Sequence, residues 1–270
     1  MIVLRENELA SVTVSSAAAL FPGSALVDGR RDHGWRSTGV TSETIESPSG
    51  LDLNRTCIVY AHGTVADGLE VGAGADVFVE TSSGAGWVAV ADPRFYVPPA
   101  HRPGTGCIMA LFTHPTHDRF RIRIENPGDP LGYFGIGEIW FGAYETRPSR
   151  ALPLTFDFAW IRGIAATSKR GAGGSYSNVR YPIRRRVGIA SLSALVYPSW
   201  GAELSDDSDL WSDLEGRKAL YVLFENDHYP LLRDPLEEMA FVGVLDVAPN
   251  YPSPKLSHAT YGLILEETED

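Results

Sequence analysis

The stretch FRIRIEN at residues 120–126 alternates apolar and polar side chains without a break. Successive side chains of an extended chain point to opposite faces, so a period of two marks a strand with one face buried and one wet. The same alternation returns in SVTVSS (11–16), VFVETSS (77–83), WVAVADP (87–93), ALYVLFEN (219–226) and YGLILEE (261–267). The stretches between are punctuated by 27 Gly and 18 Pro, and runs of helical period are scarce. Many short strands at close spacing bury their apolar faces against one another, which restricts the chain to sandwiches or barrels. The fold class is therefore mostly β, with one or two short helices expected. One is SDDSDLWSDLEG (205–216), which has capping residues, early acids and a terminal Gly. The other is DPLEEMAF (234–241), with Pro235 in its first turn.

Charge narrows the function. The chain of 270 residues carries 34 acidic against 23 basic side chains, a net −11. Phosphate contacts need clustered Lys and Arg, so nucleic acid is not expected as the main partner, and charge gives no attraction to anionic membranes. No run approaches 18 consecutive apolar residues, and MIVLRENELA lacks the apolar core of a signal peptide. Cys57 and Cys107 both sit in apolar runs, which reads as buried thiols, with a disulfide left open.

A seam falls at AYETRPSRAL (143–152), a plausible linker between strand-rich halves. Two domains follow, 1–146 and 147–270, each of ordinary size.

In the first half, ALVDGRRDHGWRST (25–38) places an Asp28-Gly29 turn ahead of Trp35. Gly permits the positive φ of a tight turn, and Trp35 re-enters the core. Ala25, Asp28, Gly29, Trp35 and Ser37 resemble the opening of a discoidin-like (F5/8 type C, galactose-binding-like) domain. RIRIENPGDPLGYFGIGEIWFGAY (121–144), with Glu138, Ile139 and Gly142, resembles that family's closing strands, and ADVFVETSSGAGWVAVAD (75–92) its middle ones. The resemblance covers about residues 8–145. It implies an antiparallel jelly-roll sandwich with ligand loops at one end, and in many members a calcium ion held by the Asp of the turn, a Thr and the late Glu. Here Arg30 and His33 stand where an acidic or amide residue and the Thr would be. Calcium takes several hard oxygen ligands, so no metal or other cofactor is expected. A salt bridge from Arg30 or Arg31 to Asp28, Asp32 or Glu138 would staple the turn instead. Asp28, Gly29, Trp35 and Glu138 are thus read as structural.

Sugar recognition needs aromatic faces beside charged or amide hydrogen-bonding groups. The loop candidates are His62, Trp87, Arg94, Tyr96 and His101, with Phe95 beside them; each also has a plain packing role open to it.

The second half carries a basic segment (Lys169, Arg170, Arg180, Arg184, Arg185, Arg186) and an acidic one (Glu203, Asp206, Asp207, Asp209, Asp213, Glu215). These are either solvated faces or complementary surfaces of neighbouring subunits, with Arg184, Arg185 and Arg186 set against Asp206, Asp207 and Asp209. KRGAGGSYSN (169–178) lacks phosphate-loop spacing and reads as a flexible connector. Together with YPIRRRVGIASLSAL, LYVLFEND and the acidic LILEET ending, this half resembles the C-terminal regions of long-tailed phage tail-tip proteins. That resemblance implies a tail-tube-like domain forming a threefold or sixfold homo-oligomeric ring. It also implies tail tube, hub or baseplate proteins as partners, a host surface glycan as a further one, and a place in the virion after synthesis in the host cytoplasm.

No catalytic constellation emerges. There is no G-x-S-x-G elbow, and HPTH (114–117) holds a Pro that disfavours a helical metal site. The expectation is a structural tail-tip protein with an accessory carbohydrate-binding-like sandwich. A soluble carbohydrate-binding module and, further off, a glycan-active enzyme are the alternatives.

Overall fold

The computed structural model describes residues 2–146 apart from 31, 65–66, 73, 91–93 and 97–105, together with 153–170, 176–195, 214, 217–222, 240–247 and 258–267. The chain divides into two compact units, one built around Glu6–Glu145 and the other around Met1–Arg5, Thr146–Pro230 and Phe241–Thr268. In chain order the elements are β1 (Ile2–Leu4), β2 (Thr13–Val14), a 3-10 turn (Gly23–Val27), β3 (Trp35–Arg36), β4 (Glu43–Glu46), β5 (Cys57–His62), β6 (Asp76–Ser82), β7 (Val88–Ala89), β8 (Arg94–Tyr96), β9 (Cys107–Phe112), β10 (Arg119–Glu125), β11 (Gly135–Ile136), β12 (Glu138–Ala143) and β13 (Glu145–Thr146). Then follow β14 (Pro153–Arg170), β15 (Tyr176–Leu195), β16 (Lys218–Val222), β17 (Ala240–Val247) and β18 (His258–Glu267).

The first unit is an antiparallel sandwich. One sheet runs β2-β4-β10-β6-β7 and the other β12-β5-β9-β8, with β3 and β11 forming a small third ribbon. The alternation in FRIRIEN places Phe120, Ile122 and Ile124 in the interior, while Arg119, Arg121, Arg123 and Glu125 are half-buried on the other face. Val77, Val79 and Ile45 join them from the same sheet; Cys57, Val59, Ala61, Ile108, Ala110, Ile139 and Phe141 come from the opposite one. Phe120 and Phe141 stack across the interior at 4.9 Å between ring centroids. Burying each such side chain contributes roughly 1.5–3 kcal/mol relative to leaving it exposed. Trp35, Leu26 and Phe134 belong to the same core, and the Trp35 indole N–H donates to the Ser16 carbonyl at 2.7 Å. The antiparallel sandwich expected for this half is what the chain forms.

The second unit is one seven-stranded sheet, β13-β1-β16-β17-β18-β15-β14. Ile2, Val3 and Leu4 pair with Val222, Tyr221 and Leu220, so the first strand of the chain lies in this sheet. Its longest strands are β14, 18 residues, and β15, 20 residues.

Two local expectations change. The helix read at 234–241 does not extend to its end, because Ala240 and Phe241 open β17, whose AFVGVLDV run pairs with β18. Aromatic and β-branched residues with a neighbouring strand on offer override local helix signals. Residues 234–239 lie outside the described residues, as does most of the helix read at 205–216, of which Leu214 is helical and buried. The connector read at 169–178 is also shorter than expected. Lys169 and Arg170 close β14 and pair with Ser177 and Tyr176 of β15, because the two long strands continue their ladder into it.

Candidate functional site

The 25–38 turn is built locally. Gly29 takes φ 78°, the left-handed region a Cβ disfavours. The Asp28 carboxylate accepts the Arg30 backbone N–H at 2.9 Å. Arg30 grips Asp32 with two hydrogen bonds, 3.0 and 2.7 Å, and His33 Nδ1 stands 3.7 Å from the same carboxylate. The expected staple is therefore Arg30 to Asp32. It is exposed on both sides, so its contribution is small. Arg31 lies outside the described residues.

Glu138 is committed elsewhere. β5 and β12 pair it directly with His62, and Glu138 Oε2 lies 3.3 Å from His62 Nε2 with both side chains buried. His62 Nδ1 lies 3.0 Å from the Gly63 carbonyl, an acceptor only, so Nδ1 carries a proton. His62, read as a sugar-loop candidate, is buried at this cross-strand pair. The same pairing tests calcium. The late carboxylate faces an imidazole, Asp28 serves its own turn, and a guanidinium fills the next position. These residues do not fit the ion. No group of three or more His, Cys, Asp or Glu able to hold a metal occurs among the described residues.

Trp87 is placed differently. It follows the β6–β7 turn, where Gly84 takes φ 97° and donates its N–H to Ser82 Oγ. The indole is half-buried, and Val88 beside it is exposed. The Arg121 guanidinium stands 4.4 Å from the indole centroid and that of Arg119 5.2 Å. The β10–β6 register sets Arg119, Arg121 and Arg123 opposite Ser82, Glu80 and Phe78, all on the outer face. Glu80 accepts from Arg121 at 2.6 Å and from Arg123 at 3.2 Å, and Arg123 lies over the Phe78 ring at 4.0 Å. Burial pushes the Glu80 carboxyl up, but the hydrogen bonds from Arg123 and Arg121 outweigh it and leave the group below its ordinary value. The outcome is a row of planar groups, Trp87–Arg121–Glu80–Arg123–Phe78, in which Glu80 is buried and the other four are half-buried.

Arg94 and Tyr96 lie in β8, where they pair with Met109 and Cys107 at the end of the four-stranded sheet. Their backbone course is all that is described, and His101 lies outside the described residues. Arg184, Arg185 and Arg186 stand in β15 opposite Ile164, Gly163 and Arg162. Asp206, Asp207 and Asp209 lie outside the described residues. HPTH is a loop, with the His114 and His117 rings stacked at 3.5 Å and 11°.

One cluster went unread in the sequence. Arg36 donates to Glu70 at 2.8 Å and to Asp67 at 2.9 Å, and stands 4.3 Å from the Phe21 ring centroid and 4.9 Å from that of Tyr133. The Tyr133 hydroxyl donates to Glu70 at 2.7 Å. Burial and that hydrogen bond raise the phenol above its ordinary value. The partners lie 15 to 97 positions apart, and no local motif announces them.

No family model matches the chain, and no curated protein does. Among solved structures it is similar to the F5/8 type C domain of a Bacteroides fragilis protein, at 17% identity and TM-score 0.36, over 50% of this chain and 91% of that one. It is also similar to the family 32 CBM of C. perfringens NanJ in complex with galactose, at 12% identity and TM-score 0.38, over 54% and 100%. A third is chitosan-binding module 1 of a chitosanase/glucanase from Paenibacillus sp. IK-5, at 21% identity and TM-score 0.34, over 51% and 99%.

Proposed function

We propose that the N-terminal sandwich is a carbohydrate-binding module whose binding face is the outer side of the five-stranded sheet around Trp87. The observation that carries this is the half-buried indole aligned with the Arg121 and Arg119 guanidinium groups, with Glu80 fixed beside them. A pyranose lays its C–H face on an indole, while guanidinium groups donate to its hydroxyls. The row is held by its own ion pairs, so little side-chain freedom is lost on binding. The reading rests on this geometry, gives the chain no catalytic role and needs no cofactor. A glycan array probed with the whole protein and with Trp87→Ala tests it. Signal on a defined set of glycans, lost in the variant, supports it; no signal on any glycan contradicts it.

A second reading belongs to the other unit, that of a subunit in a phage or phage-like tail tip assembled between tube and baseplate. What favours it is β14, which stands last in the strand order with no strand on its outer side among the described residues. A long open edge invites pairing with another chain, and a head-to-tail repeat of such a contact closes into a ring. Immunogold labelling of particles from the source culture tests it. Gold at the distal end of tails supports this reading, and unlabelled particles contradict it.

A further inference from the structure

The two longest strands run beyond the sheet that holds them. β15 pairs with β18 from Val187 to Leu195; ahead of Val187 its described partner is β14 alone. Among the described residues β14 has no other neighbour in the strand order. Residues 162–170 and 176–186 therefore form a two-stranded arm, roughly 30 Å long at the usual rise per residue, with both edges open among the described residues. Two-stranded ribbons are marginally stable alone in water.

The arm's charge is as one-sided as its pairing. It carries Arg162, Lys169, Arg170, Arg180, Arg184, Arg185 and Arg186, and no Asp or Glu occurs between Asp157 and Glu203. In the backbone register Arg162 stands opposite Arg186, with Arg185 and Arg184 opposite Gly163 and Ile164. An arm of net +7 in a chain of net −11 leaves −18 on the remainder.

We infer that this arm is a cationic docking element for the acidic remainder of a second copy of the chain. Another copy supplies counter-charge for the arm and backbone partners for its open edges. A polyanion such as nucleic acid would meet the same Arg cluster but would be repelled by the −18 remainder. The inference is independent of any glycan bound by the sandwich.

Sedimentation velocity of the full chain at about 50 mM and about 0.5 M salt tests it, since screening over this range shortens the reach of the charges severalfold. Wild type is expected to self-associate at low salt and to weaken about tenfold at high salt. Arg184→Glu/Arg185→Glu/Arg186→Glu is expected to sediment as a monomer at both. If circular dichroism shows that this variant does not fold, Arg184→Gln/Arg186→Gln takes its place and is expected to weaken association at low salt. A monomeric wild type at both salts overturns the inference, as does a folded variant that associates like wild type. Salt-dependent binding of a fluorescent random-sequence duplex by a monomeric wild type also overturns it, in favour of nucleic acid.

Discussion

His62 and Glu138 face each other across β5 and β12 at 3.3 Å, with side chains 3% and 1% exposed. They are 76 positions apart in sequence, and only the β5–β12 register brings them together. Removing one partner leaves the other buried without compensation. His62→Ala or Glu138→Ala should each cost about 3 kcal/mol, read from urea unfolding. The double variant to similarly sized apolar residues should cost much less than the sum. Additive losses would show that the two side chains act independently.

Acid should weaken the sandwich in two steps. Burial, followed by the neighbouring His114, holds His117 below its ordinary 6.5. Folding thus favours the neutral ring, and its contribution is complete above pH 6.5 and lost as pH falls through the lower folded value. For Glu80, burial raises the pKa, but Arg123 and Arg121 bring it net below 4.5. That contribution is present above pH 4.5 and lost as pH falls through the folded value. Glu80→Gln should therefore lower stability near neutrality by about 1–2 kcal/mol and flatten the decline below pH 4.5. An unchanged acid limb in the variant would count against this assignment.

Much of the sandwich was legible because its rule is local. Alternation in FRIRIEN fixes which face of β10 is inside, and the Asp28-Gly29 turn followed by Trp35 needs only neighbouring residues. What pairs with what was not legible. Glu138 read as a turn or metal residue, and only the β5–β12 register reveals His62 as its partner. Arg121 read as one polar position among several until β6 and the β6–β7 turn brought Glu80 and Trp87 to it. The run at 234–241 carried helix signals, yet Ala240 and Phe241 joined a sheet whose partner strand lies farther along the chain.

The two thiols should be silent in the folded protein. Burial pushes Cys57 up to about 11, and Cys107 is buried as well. Cys57 pairs with Phe112 and Cys107 with His62, at opposite ends of the β5–β9 ladder, so no disulfide joins them. A chromogenic disulfide reagent at neutral pH should titrate both thiols only after denaturation. Rapid reaction of native protein would place one of them at the surface.

The 25–38 turn should ignore calcium. Arg30 and Asp32 close it, and Glu138 is committed to His62. The melting temperature should be the same with chelator and with added calcium. A rise of several degrees on adding the ion would show a site these residues do not suggest.

The central claim is that Trp87 and its guanidinium neighbours form a sugar platform. Its most direct test is isothermal titration of wild type and Trp87→Ala with the glycan that gives the strongest array signal. The geometry predicts saturable binding by wild type and a loss of about tenfold or more in the variant, the size expected for one aromatic contact. Equal binding by both proteins would contradict it.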